Sequence, residues 1–171
     1  MYDIEKMLAE GRTIFPVVDH NGQVVGAVGR NLKLSPKYKA VGKGFVGNIL
    51  TDEREIVLTE GVIDALLAEK LGEDIIYGNP GRERVIGVVG EVTDEAIKAF
   101  VEKRKKITLF FDQDEPGRAS AEKLAKRMKD AGADVYVFKT DNARDLPEYL
   151  ALGCTVGSIV SARLFEGISF E

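Results

Sequence analysis

Ile56-Val57-Leu58-Thr59-Glu60-Gly61-Val62-Ile63-Asp64-Ala65 and, about fifty residues on, Ile107-Thr108-Leu109-Phe110-Phe111-Asp112-Gln113-Asp114-Glu115-Pro116-Gly117-Arg118 decide the reading of this chain. Each is a short apolar run that ends in carboxylates and opens into a helix. In an open α/β sheet, ligands sit at such strand ends. Asp112 and Asp114 are two apart, so just past a strand they can face one ion. Glu60 ends its own strand, Gly61 allows close approach, and Asp64 follows one helical turn later. Carboxylates gathered this closely repel one another. A divalent cation removes that penalty, and an all-oxygen donor set suits Mg²⁺ or Mn²⁺. Taken alone, Asp112-Gln113-Asp114 also fits a helix N-cap with an acidic first turn; the paired motifs favour the metal reading.

Working outward, the pattern around these stretches alternates strand and helix. Glu55 to Thr59, Val85 to Val89, Ile107 to Phe111 and Val135 to Phe138 read as strands. Val62 to Leu71 reads as a helix closed by Gly72, and Thr93 N-caps another running to about Lys105. Pro116 suits the first turn of a third, ending near Ala131 and Gly132. A short helix starts near Asp145, and Ser158 to Phe165 is a last one. This order predicts a Rossmann-like parallel sheet with helices on both faces. Asp74 to Arg84 reads as an exposed loop or hairpin.

Upstream, Met1 to Gly11 is a short amphipathic helix or frayed end. Phe15 to Asp19 and Gln23 to Val28 are β-like, joined by the Asn21-Gly22 turn signal. Asn31 to Asn48 looks irregular, glycine-rich and basic. The expected division is a small β-rich basic segment over 1–52, the α/β domain over 53–152, and a helical extension over 153–171.

Charge supports that division. The chain of 171 residues carries a net −4, yet Gly22 to Thr51 holds five basic residues and no acid, leaving −9 elsewhere. Such asymmetry suggests a phosphate-binding face on an acidic protein. One cysteine, Cys154, and one histidine, His20, exclude an internal disulfide framework, a cysteine zinc site and a catalytic His pair. Cys154 is expected to be buried and His20 exposed. No apolar run approaches the ~20 residues of a membrane span. The charged N-terminus does not resemble a signal peptide, so the expected setting is cytoplasmic, without a membrane.

The acidic motifs resemble the conserved Glu and Asp-x-Asp motifs of Toprim domains, found in bacterial primases, topoisomerases, recombination mediators and small nucleases. Thr13 to Arg30, followed by Ser35-Pro36-Lys37-Tyr38, resembles the segment preceding the Toprim fold in bacterial (DnaG-type) primases. The resemblance implies catalysis through Glu60, Asp112 and Asp114. It implies that these acids, supported by Asp64 and Asp145, hold Mg²⁺ or Mn²⁺. It also implies that Arg30 and Lys37 contact the template or incoming nucleotide, as an arginine fork and a lysine point charge do on phosphate. Lys39, Lys43 and Arg118 extend that basic set. In Asp141-Asn142-Ala143-Arg144-Asp145-Leu146-Pro147, Asp145 matches a family acid, whereas Pro147 stands where some relatives carry a further Asp.

The implied activity is metal-dependent synthesis of RNA primers on single-stranded DNA from ribonucleotides. A replicative helicase or a zinc-binding module, on another chain or in a longer protein, is the implied partner. With one cysteine this chain does not build the zinc module itself, so it is read as a catalytic fragment, a minimal mobile-element product or a stand-alone Toprim protein. A metal-dependent nuclease and a non-catalytic nucleic-acid-binding module are the alternatives. Tyrosine-based strand cleavage would need a second domain.

Overall fold

The computed structural model describes residues 2–71 and 85–162. The segment 74–84, the expected cap at Gly72 and the chain after 162 lie outside the described residues. A single eight-stranded sheet, in the order β3-β2-β1-β4-β6-β5-β7-β8, organises the fold. Its strands are β1 (Thr13–Val18), β2 (Val24–Arg30), β3 (Tyr38–Val41), β4 (Gly44–Val46), β5 (Glu55–Glu60), β6 (Val85–Val89), β7 (Lys106–Phe110) and β8 (Asp134–Val137). The helices are α1 (Tyr2–Ala9), α2 (Val62–Leu71), α3 (Asp94–Glu102), α4 (Glu115–Asp130), α5 (Leu146–Ala151) and α6 (Val156–Ala162).

β5 to β8 pair in parallel. The period-two alternation of β5 shows why helices cover both faces. Ile56 and Leu58 point into the core with Ala96, Ile97 and Phe100 of α3 and Leu124 and Met128 of α4. Val57 points the other way, among Ala65 and Ala68 of α2, Leu146 and Leu150 of α5, and Ile159 of α6. The chain leaves β5 to form β6 on one side, then crosses to β7 on the other. The strand order therefore reverses at β5, and the crevice of a doubly wound sheet opens at that point.

The stretch from Asn31 to Asn48 is not irregular: it holds β3 and β4. β4 is three residues long and wholly buried, with Gly44, Phe45 and Val46 antiparallel to Val89, Val88 and Gly87 of β6. So short a strand has no readable period, and its pairing with β6 holds it in place. Through β4 the antiparallel β1–β3 ribbon and the parallel sheet become one continuous surface.

Thr93 accepts the Ala96 N–H as the N-cap of α3, in line with the capping signal in the sequence. That helix stops at Glu102 rather than Lys105, because Arg104 takes a left-handed φ of 51°. Lys105 turns inward and donates to the carbonyls of Thr51 and Glu53, tying the amino ends of β5 and β7 together. His20 is half-buried beside Asn21, not fully exposed. Cys154 is half-buried in the turn after α5, not fully buried.

Candidate metal and nucleotide site

Four carboxylates meet at the carboxyl edge of the sheet, around the reversal point. Glu60 is the last residue of β5, Asp64 lies in the first turn of α2, Asp112 follows β7, and Asp145 precedes α5. All four line one cleft of about 400 Å³, together with Gly61, Val89, Gly90 and, from the basic segment, Val28 and Tyr38. Gly61 makes the turn from β5 into α2 at a φ of +103°, a conformation that strains any other residue.

Asp114 stands at the rim. Its Oδ1 accepts the Gly117 N–H and N-caps α4, so the cap reading of the motif is correct for this residue. Its charge nonetheless reaches the cleft, where it raises the pKa values of Glu60 and Asp112. The side chain faces a neighbouring cleft with Arg118, Asp141 and Arg144. Asp145 is likewise an N-cap, accepting from the Glu148 N–H. Asp112 lines the acid cleft, while Asp114 caps α4 through one carboxylate oxygen.

Gln113, between those two acids, carries no charge or metal-ligand pattern that sequence reasoning would single out. Its backbone N–H donates to the Arg144 carbonyl at 2.6 Å. Its side chain donates to the Phe111 carbonyl and accepts from the Thr140 N–H. These bonds fasten the 140–144 loop to the end of β7 and so bring Asp145 beside Asp112. Its place inside the Asp-x-Asp motif is the one signal that marks it.

Burial and mutual repulsion raise three of the four cleft carboxyls. Burial, then the charges of Asp112 and Asp114, push the Glu60 carboxyl above its ordinary value. Asp112 is raised by burial and by Asp114 and Asp145. Asp64 is pushed up to about 7 by burial and by Asp112, Asp145 and Glu60, with the nearby Thr59 hydroxyl pulling the other way. Among the described residues no three Asp, Glu, His or Cys side chains form a ready-made metal cage. Acids spread over the walls of a wet cleft fit a hard ion that keeps several waters, as Mg²⁺ does when one or two carboxylates and a substrate phosphate complete its shell.

The raised Asp64 pKa sets a direction for stability. Folding favours the protonated acid, so Asp64 contributes most below its ordinary pKa near 4. That contribution is lost as pH rises towards 7. Metal-free Asp64→Asn is therefore expected to be more stable than the parent at pH 8 and equal to it at acid pH. Allowing for solvent screening of a half-buried group, the gain is about 1–2 kcal/mol, or roughly 2–8 °C in Tm. Thermal melts in chelator at both pH values test this; a lower Tm at pH 8 would refute the repulsion.

The basic residues differ in their surroundings. Arg30 ends β2 with its guanidinium 5.4 Å from the centre of the Tyr38 ring. It borders a cleft of about 340 Å³ with Thr13, Phe15 and Lys33. Lys37 is exposed on the loop before β3. Lys43 pairs loosely with Glu91 at 3.6 Å. Its stem lies against Gly90 at the mouth of the acid cleft. Lys39 is held by Glu10 at 2.5 Å, and Arg118 by Asp141 at 2.8 Å and the Thr140 carbonyl. Both of these are engaged within the protein.

The α/β sheet thus carries an acid-lined crevice at the ends of β5 and β7. The family model described as Toprim-like matches residues 57–150, more than half of the chain, and the chain belongs to that family. It is also related to DNA primases. The DNA primase of Clostridium acetobutylicum is 27% identical over 154 residues, covering 81% of this chain and 24% of that protein. The chain thus spans about a quarter of that relative's length. The Aquifex aeolicus primase, solved with its zinc-binding and RNA polymerase domains, superposes with a TM-score of 0.66 at 23% identity, over 91% of this chain and 40% of the other. A DnaG catalytic core does so at 0.67 and 20% identity, over 91% and 52%. At such identities the structural likeness establishes the fold.

Proposed function

We propose that this chain is the Toprim-bearing part of a primase catalytic core, joining ribonucleotides into a primer on single-stranded DNA with Mg²⁺ or Mn²⁺. One observation carries the reading. The acid cleft has a wall made by the basic segment, since Tyr38 and Val28 line the same space as Glu60, Asp64, Asp112 and Asp145. That wall exists because β4 pairs with β6 and continues the sheet.

Glu60 and Asp112, with Asp64 and Asp145 in support, would hold Mg²⁺ or Mn²⁺; Asp114 adds charge from the rim. A divalent ion bound there would supply stabilisation of the charge that develops on the reacting phosphate and the departing pyrophosphate. Arg30 and Lys37 meet strand or nucleotide phosphates from the ribbon side, and Lys43 serves the mouth near Gly90. Arg118 steadies the 140–141 turn through its present contacts. The reaction needs no covalent nucleophile from the protein. A zinc-binding module and a replicative helicase, elsewhere in a longer chain or on others, are the expected partners.

The test is a denaturing gel of an end-labelled primer on single-stranded DNA, incubated with the four ribonucleotides and Mg²⁺ or Mn²⁺. Metal-dependent lengthening is expected. Shortening would make the chain a nuclease instead. Unchanged primer in every metal condition would reject polymerisation by this chain and leave a binding module.

A further inference from the structure

Arg12 is an unusual residue to find in the ribbon. Its side chain is only 2% exposed, yet it is charged, and it is not among the residues that line the acid cleft. Each of its three nitrogens donates a hydrogen bond. Nε donates to Glu10 Oε2 at 2.6 Å, Nη1 to the Lys37 carbonyl and Nη2 to the Pro36 carbonyl, both at 3.0 Å. The Asn31 N–H donates to the same Lys37 carbonyl at 2.9 Å. Glu10 uses its other oxygen for Lys39 at 2.5 Å, which holds the Glu10 carboxyl down at about 2. The loop between β2 and β3 is thereby gripped by its backbone from beneath.

What the grip leaves free matters. The Lys37 side chain is exposed, Lys33 is exposed on the same loop, and Tyr38 follows at once with Arg30 over its ring. A guanidinium suits this duty because one planar fork spans two successive carbonyls and an acid, whereas an ammonium is a point donor.

We propose that Arg12 is a positioning residue for nucleic-acid binding: by clamping the Pro36 and Lys37 carbonyls it fixes where Lys37 meets the phosphate backbone of a single strand. This rests on the reading that Lys37 contacts the strand. Arg12 itself touches no nucleic acid. Glu10 and Lys39 complete the clamp.

The test measures binding of a short fluorescent single-stranded DNA across a salt series, for the parent, Arg12→Lys, Glu10→Gln, Lys37→Ala and the Arg12→Lys/Lys37→Ala double variant. Arg12→Lys keeps the charge but loses the fork. It is expected to weaken binding about 5–10-fold and to lower the salt slope by about 0.7, the value of one phosphate contact on a single strand. Glu10→Gln should act in the same direction, about 2–3-fold. In the Lys37→Ala background, Arg12→Lys should add almost nothing, because the residue it positions is gone. Mn²⁺ affinity at the acid cleft should be unchanged throughout.

Equal losses from Arg12→Lys with and without Lys37 would overturn the proposal and leave a merely structural arginine. Parent-like binding by Arg12→Lys would also overturn it. Should Arg12→Lys not fold, parent-like binding by Glu10→Gln overturns it instead. If Lys37→Ala alone binds as the parent does, the underlying reading of Lys37 fails first and takes the clamp's purpose with it.

Discussion

Asp112→Asn is expected to lower metal-dependent primer extension about a thousandfold while leaving the fold intact. Asp112 lines the acid cleft, and two of the other acids there feel its charge directly. Asparagine keeps its shape and its place after β7 but supplies only a neutral amide oxygen. In the proposed mechanism, loss of one anionic ligand costs about 4 kcal/mol of transition-state stabilisation, which is about three decades in rate. Calorimetric titration with Mn²⁺ should show affinity falling at least about tenfold. The opposite sign is expected for stability. Asp112 is itself raised by burial and by Asp114 and Asp145, so removing its charge relieves repulsion in the metal-free protein. A variant with unchanged or higher Tm and no activity separates chemistry from misfolding. Full activity in Asp112→Asn would remove the metal assignment.

Gly117→Ala is the second large effect, and its sign runs against helix propensity. Within a helix, Gly→Ala usually stabilises by about 0.5–1 kcal/mol. A Cβ on Gly117, however, would stand 2.2 Å from the Asp112 carbonyl oxygen and 2.9 Å from both the Asp112 carbonyl carbon and Cβ. Those atoms belong to the turn that aims Asp112, and the Gly117 N–H is the donor to the Asp114 cap. Either α4 backs away or Asp112 moves. Overpacking of this kind costs about 1–3 kcal/mol, or roughly 2–12 °C for a chain of this size, and Mn²⁺ affinity should fall with it. Gly157→Ala is the control, because its Cβ would meet only the Thr155 hydroxyl at 3.4 Å. It should melt at or slightly above the parent temperature. If Gly117→Ala behaves like Gly157→Ala, the close approach does not aim Asp112.

The two acidic motifs are legible in the sequence because they obey local rules. A run such as Ile107 to Phe110 is fully buried whatever its partners, and a parallel sheet requires its active edge at the carboxyl ends. Thr93 and Pro116 announce their helices through capping chemistry that depends on near neighbours alone. The grouping of Glu60, Asp64 and Asp112 in one crevice follows from those local patterns, and the family resemblance adds Asp145. The split between Asp112 and Asp114 does not follow from them. Strand alternation puts residues i and i+2 on one side only while the chain stays extended, and the cap of α4 turns Asp114 away at the rim.

The basic segment shows the converse. Its charge pattern announces a phosphate-binding face, but which of its cations are paired depends on partners distant in sequence: Lys39 lies 29 residues from Glu10. β3 and β4 are unreadable because their residues gain strand character only by pairing with β2 and β6. What the sequence by itself determined is the alternation of strands and helices, the acids at the strand ends and the sign of the charge on each half. The tertiary structure decided that the two halves share one sheet, that Tyr38 faces the acids, and that Arg12 holds the loop beside it. Local propensity and apolar period are properties of neighbouring residues, whereas register and ion pairing are settled only when distant segments close on one another.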